Sequence, residues 1–248
     1  MEMPKVSHII DGARERNKKL LAVLIDPDKP TYAELEKLCG QAVQSGADLI
    51  FVGGSLLSSD SLENCLSGIR ANCTIPIILF PGSVLQISDK ADGILFLSLI
   101  SGRNPDLLIG NQVIAAPYLK SSKLEVLPTA YMLVDCGNTT TAIYMSNSTP
   151  LPYDKPDIAA CTAIAGEYLG LRYFYMDGGS GAHKTVDPTM IKAVRKSIER
   201  PIIVGGGIRD AASARKIAEA GADVIVVGNL FEKEPEAMGE IAKAIHEI

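Results

Sequence analysis

The chain has no tryptophan, only three histidines, and aromatic residues make up just 5% of it. His8, His183 and His246 share no ligand spacing, so they read as surface or supporting residues rather than a metal centre. The five cysteines, Cys39, Cys65, Cys73, Cys136 and Cys161, are odd in number, scattered and free of any C-x-x-C pair. That excludes a disulfide frame and a zinc site, and leaves reduced, mostly interior thiols. No apolar run is long enough to span a bilayer, and residues 1–16 lack the apolar core of a signal peptide, so the expected location is cytoplasmic. Positive charge is also short: 24 Lys and Arg stand against 29 Asp and Glu, a net charge of −5. A general nucleic-acid surface needs a basic face to displace counterions, so no nucleic acid partner is expected.

What is present is core. Hydrophobic residues are 47% and charged residues 21% of 248, a length typical of one (β/α)8 barrel, and a single domain over 1–248 is expected. Continuous apolar runs lie at 20–25, 49–52, 76–80, 93–99, 125–134, 173–176, 201–204 and 224–227. Continuity rather than alternation means burial on both faces, as in a parallel sheet. Helical stretches separate them at 32–45, 61–70, 104–116, 157–169, 188–198, 210–220 and 235–248, the first with Thr31 as N-cap and Gly46 just past its end. The pattern is an α/β TIM barrel, with an open doubly wound sheet as the runner-up. Pro128 is expected to interrupt the fifth strand, and the β-prone 140–145 stretch to form an extra hairpin strand or flap.

Only 83–92 lies between the third and fourth strands, and a barrel helix takes about 10 to 12 residues by itself. The third outer helix is therefore short or missing. Its absence would leave Ile77, Ile78, Leu79, Phe80, Ile94, Leu95 and Phe96 on an uncovered apolar groove, unless a neighbouring subunit or a rearranged loop covers them. Ser98, Leu97 or Leu99 is the position from which a bulky side chain would enter that groove.

Three late strands end in glycine loops: Tyr175, Met176, Asp177, Gly178, Gly179, Ser180 and Gly181; then Gly205, Gly206, Gly207, Ile208 and Arg209; then Gly228 and Asn229. Glycine lets consecutive N–H groups converge on one anion, and barrels of this type bind phosphate after their last strands. The same rim gathers Asp26, in Asp26-Pro27-Asp28-Lys29, and Ser55. One carboxylate and one hydroxyl are an incomplete shell that Mg²⁺ accepts when a substrate phosphate completes it, although Asp26 also reads as the cap of a turn and Asp28 and Lys29 as loop charges.

With those residues in view the chain resembles the geranylgeranylglyceryl phosphate synthase family, which includes heptaprenylglyceryl phosphate synthases. The resemblance covers nearly the whole chain and rests on the ordered set Leu24 to Lys29, Val52 to Ser55, Ser101 to Pro105, Pro128 to Tyr131, Tyr175 to Ala182, Val204 to Arg209, and Gly228 with Asn229. The Arg103-Asn104-Pro105 segment and the long polar insertion after the fifth strand match the subgroup shared by archaea and some bacteria. The resemblance implies transfer of a long prenyl group, most directly geranylgeranyl, from its diphosphate to the 3-hydroxyl of sn-glycerol 1-phosphate. It places Mg²⁺ at Asp26 and Ser55. Glycerol phosphate falls on Tyr175, Met176, Asp177, Gly178, Gly179, Ser180, Gly181, Gly206, Gly207, Gly228 and Asn229, with Asp177 and Tyr175 as catalytic groups. One departure stands out, since the family usually carries Glu where this chain has Asp177.

Two rival readings remain: a phosphosugar isomerase or lyase barrel, which would bind no long apolar tail, and a noncatalytic prenyl-lipid-binding protein. Two more expectations concern partners. The uncovered apolar surface suggests a homo-oligomer, and the apolar product suggests transient membrane contact.

Overall fold

The apolar runs become strands because each is short, rich in β-branched residues and closed by Gly, Pro or Asp. A computed structural model describes residues 5–248, so the first four positions of the 1–248 domain lie outside the described residues. Eight parallel strands, β1 Leu20–Ile25, β2 Leu49–Val52, β3 Ile77–Leu79, β4 Gly93–Leu99, β5 Glu125–Leu133, β6 Tyr173–Asp177, β7 Ile202–Gly205 and β8 Val224–Val227, close into a barrel in chain order. Closure removes both sheet edges and sends every strand's C-terminal end to one rim.

Around the barrel run α2 Tyr32–Ser45, α3 Leu62–Asn72, α4 Asn111–Ser121, α6 Pro156–Tyr168, α7 Pro188–Ser197, α8 Ala211–Glu219 and α10 Met238–His246, with short α5 Thr141–Ser146 and α9 Asn229–Lys233 on the rim. An amphipathic helix, α1 Val6–Glu15, precedes the first strand. Its Val6, Ile10 and Ala13 share one buried cluster with every second residue of the strands, among them Leu20, Phe51, Ile78, Leu95 and Val224. This helix therefore plugs the N-terminal end of the barrel, and Ser7 fixes it by bonding to Glu125. Thr31 caps α2 in a full capping box with Glu34, and Gly46 ends it at φ +77°.

No helix separates β3 from β4, in line with the sequence. The outer faces of these strands are nevertheless not bare. Ile77, Leu79 and Ile94 are buried, because the 81–92 loop folds back with Val84 and Ile87 packed on the outer core. Three further expectations need correction. β5 runs unbroken through Pro128. The Pro128 carbonyl accepts the Arg172 N–H at 2.9 Å, and its ring nitrogen faces the same side, toward the turn before β6, so no ladder bond is lost. The 140–145 stretch is helical in α5, not a hairpin strand: Thr140 caps the Ile143 N–H and Asn147 stops the turn at φ +46°. The helix expected at 104–116 begins instead as a π-helical turn, Asp106–Gly110, and continues as α4 with Pro117 inside it. Of the cysteines, all free, Cys39, Cys65 and Cys136 are buried, while Cys161 is exposed.

Candidate active site

One cavity of about 1000 Å³ opens on the C-terminal rim. Strand parity decides which side chains enter it. Tyr131 of β5 and Tyr175 and Asp177 of β6 point inward, whereas Met176 between them is fully buried in the outer core against the helices. Met176 therefore cannot touch a ligand with its side chain. Gly178 also lies off the cavity wall: its N–H donates to Gly205 at 3.0 Å, and a Cβ there would press on Cys136 Sγ at 3.0 Å. The other expected positions, Asp26, Ser55, Tyr175, Asp177, Gly179, Ser180, Gly181, Gly206, Gly207, Gly228 and Asn229, all line the cavity.

The glycine loops interlock. A Cβ on Gly206, at φ +87°, would stand 2.7 Å from the Gly179 nitrogen, so only glycine lets the β7 loop lie on the β6 loop. Arg209 spends its guanidinium on the carbonyls of Ala182 and His183, at 2.7 and 3.1 Å, and Ser180 Oγ bonds Asn229 at 3.0 Å. Among the described residues, the N–H groups of Ser180, Gly181, Gly206, Gly207 and Gly228 meet no protein acceptor. Unpaired donors gathered on the wall of a cavity are the kind of set that suits an anion.

Below them lies an aromatic floor. Tyr175 stacks on Phe80 with ring centroids 4.8 Å apart, and Tyr131 meets both rings edge-on at 5.7 Å. The Tyr131 hydroxyl donates to Asp177 Oδ2 at 2.6 Å, while the Gly179 N–H donates to Oδ1 at 2.7 Å. Burial raises the Asp177 carboxyl above its ordinary range, against these two hydrogen bonds, which lower it. Tyr131 is thus a site residue that sequence reasoning missed. The available signal was that β5 and β6 are consecutive parallel strands, which sets Tyr131 beside Tyr175 in the register.

On the same rim, next to the loop that follows β8, Asp26 follows β1 and lines the cavity together with Ser55, and Lys29 Nζ bridges Asp26 Oδ2 at 3.5 Å and Glu232 Oε2 at 2.8 Å. Burial pulls the Lys29 ammonium down, but Glu232 and Asp26 together hold it above the usual lysine range. Glu232 was also missed, since it becomes a wall residue only through α9. Among the described residues no cluster of three or more His, Cys, Asp or Glu could hold a metal by itself. The donors Asp26 and Ser55 are hard oxygens, a set that suits Mg²⁺ when a substrate supplies the remaining ligands.

Beyond the rim the cavity continues over the outer face of β4. Ile94 and Phe96, Ile87 of the 81–92 loop, and Ala115 and Leu119 of α4 line this apolar arm, which occupies the place of the missing helix. Ser98 is not on its wall, because its hydroxyl donates to the Leu108 carbonyl of the π-helical turn at 2.7 Å. No described helix is long and apolar enough to cross a membrane.

Residues 13–246 match the model of the PcrB family. The geranylgeranylglyceryl phosphate synthase of Chitinophaga pinensis is 51% identical over 98% of this chain and 96% of its own, and that of Pyrococcus furiosus is 42% identical over 94% and 92%. The crystal structure of (S)-3-O-geranylgeranylglyceryl phosphate synthase from Thermoplasma acidophilum, in complex with sn-glycerol-1-phosphate, superposes with a TM-score of 0.93 at 35% identity, covering 99% of this chain and all of that one. Tryptophan synthase subunit alpha from Legionella pneumophila, 16% identical with a TM-score of 0.59, shares the fold alone. The chain belongs to the PcrB family, together with these geranylgeranylglyceryl phosphate synthases.

Proposed function

We propose that the chain joins a long-chain prenyl diphosphate, most directly geranylgeranyl diphosphate, to the 3-hydroxyl of sn-glycerol 1-phosphate, giving 3-O-prenylglyceryl phosphate and diphosphate. The observation that carries this reading is the continuity of one cavity from a pole of unpaired N–H groups, past a buried carboxylate, to an apolar arm outside the barrel. A phosphosugar isomerase needs the first two features and has no use for the third. The bound sn-glycerol-1-phosphate of the Thermoplasma acidophilum relative supports the assignment of the polar pole.

In this reading the loop N–H groups take the phosphate of glycerol phosphate and direct its 3-hydroxyl toward the aromatic floor. The oxygen attacks the allylic carbon as the bond to diphosphate breaks. Its proton passes to Asp177, with Tyr131 as relay, because the Tyr131 hydroxyl already donates to the carboxylate. The shorter side chain of Asp177, compared with the family glutamate, is thereby bridged by a phenol. Tyr175 acts through its ring: with Phe80 it presents π faces where positive charge develops on the prenyl carbon. Asp26 and Ser55 would hold Mg²⁺, which supplies charge neutralisation of the departing diphosphate. The prenyl tail follows Phe96, Ile94 and Leu119.

The exposed Ile109, Val113, Ile114 and Tyr118 beside and along α4 support the homo-oligomer expectation, since an apolar helix face of this kind is normally covered. The test of function is incubation with labelled sn-glycerol 1-phosphate, Mg²⁺ and prenyl diphosphates of several lengths. Label that extracts into organic solvent is the expected result. Binding without extractable label would instead favour a noncatalytic lipid-binding protein, and its absence with turnover of a phosphosugar would favour an isomerase.

A further inference from the structure

Asp26 and Ser55 sit on two different loops, and the second, between Val52 and Leu62, has no regular secondary structure. Such a loop keeps a donor in place only if something outside it anchors the backbone. One anchor comes from the 81–92 loop: Gln86 Nε2 donates to the Gly54 carbonyl at 3.1 Å, and its Oε1 accepts the Gly82 N–H at 3.2 Å. The other anchor is Asp28. Its Oδ2 accepts from the N–H of Ser58 and, at 2.9 Å, from the Ser58 hydroxyl. Its Oδ1 accepts from the hydroxyls of Ser59 at 2.6 Å and Ser61 at 2.7 Å.

The same residue reaches Asp26 with its backbone. The Asp28 N–H donates to Asp26 Oδ1 at 3.2 Å, and Gly54 lies against that oxygen, where a Cβ would stand 3.6 Å away. Ser61 immediately precedes α3 yet makes no side-chain cap for it. Its hydroxyl goes to Asp28, so the serine run serves the loop and not the helix. Donors to an ionised carboxylate bind about twice as strongly as neutral pairs, which makes this convergence a firm anchor.

We propose that Asp28 is a positioning residue for the cation and diphosphate end of the cavity, holding Asp26 and Ser55 in register. Its own carboxylate is saturated by serine donors, which leaves Asp26 as the carboxylate that meets the cation. The inference rests on the reading of Asp26 and Ser55 as the Mg²⁺ pair. It explains why an aspartate two positions from Asp26 is no second ligand.

The test uses the whole protein, with Mn²⁺ as probe and inorganic diphosphate present, and reads bound metal by electron paramagnetic resonance. Asp28→Ala, and separately Ser59→Ala combined with Ser61→Ala, are expected to weaken Mn²⁺ binding about 10- to 100-fold, the usual cost of losing a group that orients a metal ligand. The half-saturating Mg²⁺ in the prenyl-transfer assay should rise by the same factor, while KM for glycerol phosphate, held by glycine loops that make no contact with the Asp28 carboxylate, stays within about twofold. Adding Asp28→Ala to the serine pair should weaken binding by less than the product of the two separate losses, because both act on one anchor. Parental Mn²⁺ binding in either variant, or a loss expressed as raised KM for glycerol phosphate, overturns the inference. Asp26→Asn in parallel separates the two levels. If it also binds Mn²⁺ normally, the metal assignment falls together with Asp28; if it loses Mn²⁺ while the Asp28 and serine variants keep it, only the role of Asp28 falls.

Discussion

Removing the Asp177 carboxylate should separate chemistry from binding. A general base contributes about 10² to 10⁴ in rate, so Asp177→Ala should lower kcat by that factor, or about 2.7 to 5.4 kcal/mol at 1.36 kcal/mol per decade. The five loop N–H groups remain, so KM for glycerol phosphate should change by no more than about threefold. Tyr131→Phe leaves Asp177 Oδ2 buried without its 2.6 Å donor and breaks the relay. With the relay broken, this variant alone should be at least about tenfold slower. If the proton passes through the phenol, the double variant is no slower than Asp177→Ala. Single-turnover assays with labelled glycerol phosphate measure all three. Multiplicative losses would refute the relay, and a raised KM with kcat nearly kept would mean that Asp177 only orders its loop through Gly179.

The same carboxylate links activity to stability. Its folded pKa lies above the unfolded value, so between the two the native state binds the extra proton. Stability therefore falls as pH rises through that window and stays lower above it. Asp177→Asn, which keeps the shape and removes the buried charge, should raise Tm at neutral pH, lose the advantage in acid, and be catalytically poor. A neutral-pH Tm equal to or below that of the parent would contradict the burial argument.

Asp26→Asn should abolish Mg²⁺-dependent turnover with the far-ultraviolet spectrum unchanged, since it removes a carboxylate that lines the cavity with Ser55; parental rates across a Mg²⁺ titration would sink the assignment. Ala115→Trp should shorten the accepted prenyl chain while leaving glycerol phosphate affinity intact, because Ala115 is on the wall of the apolar arm; a product profile that still favours the longest chain would place the tail elsewhere. The hydrogen bond that His246 Nε2–H donates to the Asp48 carboxylate at 2.9 Å raises the pKa of His246. A raised histidine stabilises fully below its unfolded pKa and ceases to do so as pH rises through the folded one. The Tm deficit of His246→Ala should accordingly be larger at about pH 5.5 than at about pH 9, either side of the ordinary histidine range, and an equal deficit at both would mean that the pair acts through packing alone.

The amino-acid sequence by itself determined the number and order of the strands, the missing third helix, the three glycine loops and Asp26. Each of these is local: an apolar run, a count of ten residues between strands, a turn that only glycine permits. The boundaries of α2 were equally legible, since Thr31 and Gly46 act within one turn of the helix ends. What lay outside the sequence was pairing between loops and the parity of strands about the mouth. Alternation puts Tyr173, Tyr175 and Asp177 on one face and Met176 on the other, but only closure of the barrel makes the first face the inside. The Tyr131 to Asp177 bond spans 46 positions and depends on the β5 to β6 register, which no local pattern fixes. The helix at 141–146 formed against its strand propensity because tertiary contacts hold it: Thr140 packs on Gly179, and Asn104 donates to the Ser146 carbonyl at 2.9 Å. Asp28 changed meaning for the same reason. In the sequence it is a charge in a loop, and its serine partners come into reach only when β1 and β2 lie side by side.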